Sequence, residues 1–128
     1  MLTQQEEVEV DVRKEDQLRI NEFGRNNALL HEIRDQKKTL KDKLDTLEDA
    51  NTDLMMSEGG DTIQLFIGES FIEVSEDSAQ EYIEKRVEEV NTELKKLHVE
   101  ELKLEDRQAA LKKLLYSRFG QSINLEDS

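Results

Sequence analysis

The chain has 128 residues, room for one domain, and carries 18 Lys and Arg against 31 Asp and Glu, a net charge of −13. With no Cys, it excludes a disulfide scaffold, a thiol nucleophile and Cys-ligated zinc, and its acidity argues against nucleic acid as a partner. No apolar run reaches the roughly 18 residues of a membrane span.

Charged residues (38%) outnumber hydrophobic ones (35%), a poor supply for a globular core. Pro and Trp are absent, and Ala, Glu, Lys, Arg and Leu make up 60 of the 128 residues, close to the composition of long helices and coiled coils. The opening MLTQQEEVEV is acidic and has no apolar h-region, so it does not read as a secretory or mitochondrial leader. The expected compartment is the cytosol, with a nuclear pool left open. Val8, Val10 and Val12 alternate like a strand, and residues 1–13 are expected to form a flexible arm or to pack on a neighbour.

The first helix is predicted over 14–58. Counting from Phe23, alternate spacings of three and four give an a/d seam. Its a positions are Phe23, Leu30, Lys37, Leu44 and Asn51, and its d positions are Asn26, Ile33, Leu40, Leu47 and Leu54. Gly59-Gly60 suits a left-handed helix stop.

A β-hairpin is predicted over 61–75. Ile63, Leu65 and Ile67 alternate with Thr62, Gln64 and Phe66, Gly68-Glu69-Ser70 reads as a turn, and Phe71, Ile72 and Val74 fall in a second strand. A lone two-stranded hairpin is marginal in water, so it is expected to pair with strands of other chains. The alternative is a hydrophobic loop folded onto its own coil.

The second helix is predicted over 76–119, with Ser78 and Glu81 at capping-box spacing and a stop at Gly120. Its seam has d positions at Ile83, Val90, Leu97, Leu104 and Leu111 and a positions at Val87, Leu94, Glu101, Gln108 and Leu115. Residues 120–128 form a tail. The expected fold class is mainly α: an antiparallel two-helix coiled coil with a single β-hairpin between the helices. Lys37 and Glu101 fall at about one height in such a coil, either touching across the seam and fixing register or each reaching solvent. His31 and His98 fall on flanking positions and suggest no chemistry.

Between Lys43 and Lys85 there is no basic residue, and the 12 acids of that interval account for nearly all the net charge. The segment is either a solvated acidic face or a deterrent to self-association in favour of a less acidic partner. Apolar residues outside the seam gather where an antiparallel fold brings the chain ends together: Leu18, Ile20 and Leu29, then Leu114, Tyr116 and Phe119, with Ile123 and Leu125 in the tail. Such a cluster marks a protein-binding site, the alternative being a frayed coil end or a local three-helix contact. No phosphate loop, nucleophile with a base, or ligand cluster is present in the sequence, so no catalytic residue, metal or cofactor is expected.

The segments EDQLRINEFGRNNALLHEI, LEDANTDLMM and IGESFIEVSEDSAQEYIE, and above all the ending LYSRFGQSINLE, resemble the prefoldin family. The resemblance runs from about Val10 onward, and a break with room for one hairpin matches its eukaryotic β-type subunits. It implies a hexamer of two α-type and four β-type subunits, joined through their hairpins and holding unfolded actin and tubulin at coiled-coil tips for the cytosolic chaperonin, without nucleotide. On that reading Ile63, Leu65, Ile67, Phe71, Ile72 and Val74 serve assembly. Leu18, Ile20, Phe23, Leu114, Leu115, Tyr116 and Phe119 touch clients. The competing expectation is a coiled-coil scaffold or tether with no client.

Overall fold

The computed structural model describes residues 3–56, 62–67, 70–120, 123 and 125, with the backbone alone at 5–12, 62–67 and 70–74. Four elements follow in order: α1 (Gln4–Met56), β1 (Thr62–Ile67), β2 (Ser70–Ser75) and α2 (Glu76–Phe119). The Gly59-Gly60 stop and the Gly68-Glu69 turn expected from the sequence lie outside the described residues.

The helices are 53 and 44 residues long. α1 starts at Gln4, ten residues before the predicted start, and runs through the expected flexible arm. Val8, Val10 and Val12 therefore have helical backbone, not strand. Extending an existing helix by one residue costs no new nucleus, and Glu6 and Glu7 before the valines and Glu9 among them favour helix.

α2 is capped by Ser75, whose Oγ accepts from the backbone N–H of Ser78 at 3.2 Å. The cap is one turn earlier than the Ser78–Glu81 spacing suggested, and Glu76 and Asp77 in the first turn meet the positive end of the helix dipole. At the other end Arg118 occupies the last turn and Gly120 takes φ +60°, the left-handed conformation that terminates a helix.

β1 and β2 run antiparallel as an isolated pair, with Ile63 opposite Val74, Leu65 opposite Ile72 and Phe66 opposite Phe71. Ser70 belongs to β2 and pairs with Ile67, so it is not a turn residue. The expected fold class, in which a β-hairpin stood beside the coil as a defining element, is corrected here. Helix dominates the architecture and the described apolar clusters come from the helices and the tail. A helical coiled coil, antiparallel within each compact unit, is the fold these residues define.

There are two such units: a terminal one of residues 1–35 and 98–128, and a central one of 36–97. In the terminal unit Phe23, Leu111, Leu115 and Leu125 form the buried cluster, with Ile20 and Ile123 packed against it. In the central unit Leu54, Ala79 and Ile83 are buried, with Leu47, Ala50, Tyr82 and Val87 against them. Seam spacing accounts for Phe23, Leu111, Leu115, Leu54 and Ile83, since side chains at a and d share one stripe that packs on the facing helix, while Ala79 and Leu125 join from outside the seam. Leu30, Ile33, Leu40 and Val90 are also buried, while Leu44, Leu94, Leu97 and Leu104 are half-buried.

Candidate functional site

The terminal unit is held in register by polar contacts between its two helices. Arg118 Nε lies 3.1 Å from both carboxylate oxygens of Asp16, and its Nη2 lies 3.0 Å from Oδ2. Asp16 itself is only 4% exposed, and Arg19 Nη1 stands 3.7 Å from its Oδ1. Six residues further along α1, Arg107 donates to Glu22 from Nε at 2.6 Å and from Nη2 at 2.9 Å. This fork-to-fork hydrogen bonding holds the Glu22 carboxyl below its usual pKa and raises that of Arg107.

Arg34 donates to Glu101 at 3.3 Å and to Glu105 at 3.1 Å. The cation that reaches the buried seam carboxylate Glu101 is thus Arg34, one turn before Lys37, which belongs to the central unit. Hydrogen bonds to Glu105, and then to Glu101, raise the pKa of Arg34. Arg34, Glu105, Gln108 and Lys112 also line a groove of about 270 Å³ with Leu30 and Ala109, which sets cations against a carboxylate and an amide. Among the described residues no cluster of His, Asp or Glu could hold a metal, and no helix is long and apolar enough to cross a membrane.

The expected client residues separate into two groups. Leu18 (67% exposed), Leu114 (42%), Tyr116 (41%) and Phe119 (37%) are open to solvent. Phe23 and Leu115 are not: they sit in the buried cluster, and Ile20 packs on it half-buried. The expectation that these two are open is corrected: both are a positions, which the period turns toward the facing helix, and Leu125 packs on them as well. The tail is corrected likewise. Leu125 was expected among the exposed apolar residues, yet it is 5% exposed against Phe23, Leu111 and Leu115.

Sequence reasoning passed over Met55 and Met56, 76% and 75% exposed at the end of α1. Two adjacent methionines just before the strand pair are the signal that could have found them. Of Ile63, Leu65, Ile67, Phe71, Ile72 and Val74 the structure gives backbone positions and register only.

Two long helices, packed antiparallel within each unit, and a two-stranded ribbon between them in the chain define the class as a coiled-coil protein with a small β element. The sequence model of the family described as Prefoldin subunit matches residues 17–122, and this chain belongs to that family. It is 33% identical over 122 residues to the probable prefoldin subunit 4 of Dictyostelium discoideum, covering 95% of this chain and 92% of the relative. It is 34% identical over 119 residues to prefoldin subunit 4 of Homo sapiens, covering 92% of this chain and 89% of that one. In fold it is similar to the crystal structure of the prefoldin beta subunit from Thermococcus strain KS-1, with a TM-score of 0.71 at 16% identity over 81% of this chain and 91% of that one. Membership makes the chain a subunit of a prefoldin complex, assembling with other prefoldin subunits, and a non-enzymatic one.

Proposed function

We propose that this subunit acts as an ATP-independent holdase: within the prefoldin hexamer it captures unfolded chains, actin and tubulin among them, and passes them to the cytosolic chaperonin. The observation that carries this is the set of large apolar side chains left open in the terminal unit, Leu18, Leu114, Tyr116 and Phe119. A coiled coil whose only task is to join two proteins gains nothing from exposing an aromatic pair at a helix end. Each such side chain contributes little by itself. Several coil ends engaging one flexible chain raise the overall affinity by effective concentration, which suits weak and reversible holding. The site of action on this reading is the cytoplasm, and the strand pair is the assembly element, its unsatisfied edges paired by neighbouring subunits.

The test has two parts. Native mass spectrometry of the tagged chain purified from its own cells is expected to give a particle of about six small coiled-coil subunits, all different or nearly so. That particle is expected to suppress aggregation of denatured actin without added nucleotide. A homodimer that leaves actin aggregation unchanged would replace the holdase with a tether.

A further inference from the structure

We propose that Leu125 is a displaceable plug: it occupies, from within the chain, the seat that receives an apolar side chain of an unfolded polypeptide. The inference rests on the holdase reading and adds how its site is gated.

Gly120, at φ +60°, ends α2 and turns the chain out of the helix. Beyond it Ile123 and Leu125 are not helical, yet both pack on the terminal cluster, Leu125 at 5% exposure against Phe23, Leu111 and Leu115. The seat is thus already filled by apolar side chains, Leu125 with Ile123 beside it, that come from outside the helices. An unfolded client offers the same thing. Leu114 and Tyr116, on either side of Leu115, stay exposed and mark the rim at which a client first touches. The arrangement also accounts for two a positions, Phe23 and Leu115, being both seam and candidate client contacts: the tail covers them, and its departure uncovers them. A client segment able to fill the seat better than Leu125 exchanges with it, whereas a folded protein, with its apolar side chains inside, cannot.

The experiment uses the assembled prefoldin complex containing the full chain, and reduced, carboxymethylated α-lactalbumin as a permanently unfolded probe. Leu125→Ser weakens the plug and is expected to tighten probe binding roughly tenfold, the worth of one buried Leu seat released for the client. In the wild-type complex, saturating probe is expected to speed backbone amide exchange at Ile123 and Leu125. This second measurement needs no substitution, so it decides the matter if Leu125→Ser disturbs helicity. Wild-type binding with no tightening in an equally helical Leu125→Ser complex, or tail exchange unchanged by the probe, overturns the plug while leaving the holdase standing. Failure of both complexes to bind the probe at all overturns the holdase and the plug with it.

Discussion

Gln108 Nε2 donates a 3.0 Å hydrogen bond to the backbone carbonyl oxygen of Phe23, joining the two helices of the terminal unit through a residue only 3% exposed. The bond aligns α2 on α1 at one height, because a carbonyl on the neighbouring helix is within reach from one register only. It is a costly way to do so. The other end of the same amide, Oε1, is buried with no hydrogen-bond partner.

Gln108→Leu should therefore stabilise the chain. It removes an unmet buried acceptor, keeps most of the volume, and leaves the Phe23 carbonyl its ordinary bond within α1. A gain of about 1 kcal/mol in urea unfolding is expected. A loss of that size instead would mean that the interhelical bond outweighs its orphaned oxygen. The stabilised variant should also tolerate register slips, seen as broadened amide resonances, since a polar seam residue gives alignment at the expense of stability.

This contact illustrates what the sequence conveyed and what it could not. Spacing alone placed Leu30, Ile33, Leu40, Val90 and Leu111 on the stripes that the structure buries. A period is a local property and survives without knowledge of the partner helix. Partner choice is not local. Nothing in the order of residues says that Glu101 meets Arg34, that Asp16 meets Arg118, or that Leu125 folds back from the tail onto Phe23. The same limit misled the reading of Phe23 and Leu115, which were placed both in the seam and at the client surface. Only burial distinguishes the two roles. Strand-like alternation at Val8, Val10 and Val12 failed for a related reason: a strand needs a neighbour to pair with, while a helix supplies its own hydrogen bonds.

The Glu22–Arg107 pair predicts a pH dependence. The Glu22 carboxyl titrates below its ordinary value of 4.5 when folded, chiefly because Arg107 hydrogen-bonds its charged form. A depressed folded pKa means that the unfolded chain binds the proton more readily. The contribution to stability is then full above about pH 4.5, and it fades as pH falls through the lower folded value. Glu22→Gln should lower the melting temperature slightly at pH 7, by an amount that shrinks as the pH is taken down from 4.5 toward 3. Thermal scans by circular dichroism across that range check this, and an equal difference at both pH values would contradict it. The effect is small because both side chains are partly open to water, where ion pairs are screened.

Leu111 and Leu114 are three residues apart and should behave in opposite ways. Leu111 is fully buried, so Leu111→Ala opens a cavity beneath Phe23 and should cost about 2–5 kcal/mol of unfolding free energy. Leu114 and Tyr116 are about two-fifths exposed, so Leu114→Ser with Tyr116→Ser should stay within about 1 kcal/mol of the parent. The double variant should assemble normally and yet suppress actin aggregation less. Undiminished holding by the double variant would remove these two residues from the client surface.

Ile63→Asp separates assembly from folding. Ile63 lies in β1 opposite Val74, in a two-stranded ribbon too small to be stable in water without further pairing. The interval from Lys43 to Lys85 already holds 12 acids and no base, so the new carboxylate adds like charge where a neighbouring subunit has to approach. The described apolar clusters of the helices are built from Phe23, Leu111, Leu115 and Leu125 and from Leu54, Ala79 and Ile83. The variant should thus keep the helical signal at 222 nm while disappearing from the hexamer in native mass spectrometry. Incorporation at the parental level would rule out the ribbon as the assembly element and shift attention to the exposed Met55 and Met56 at the end of α1.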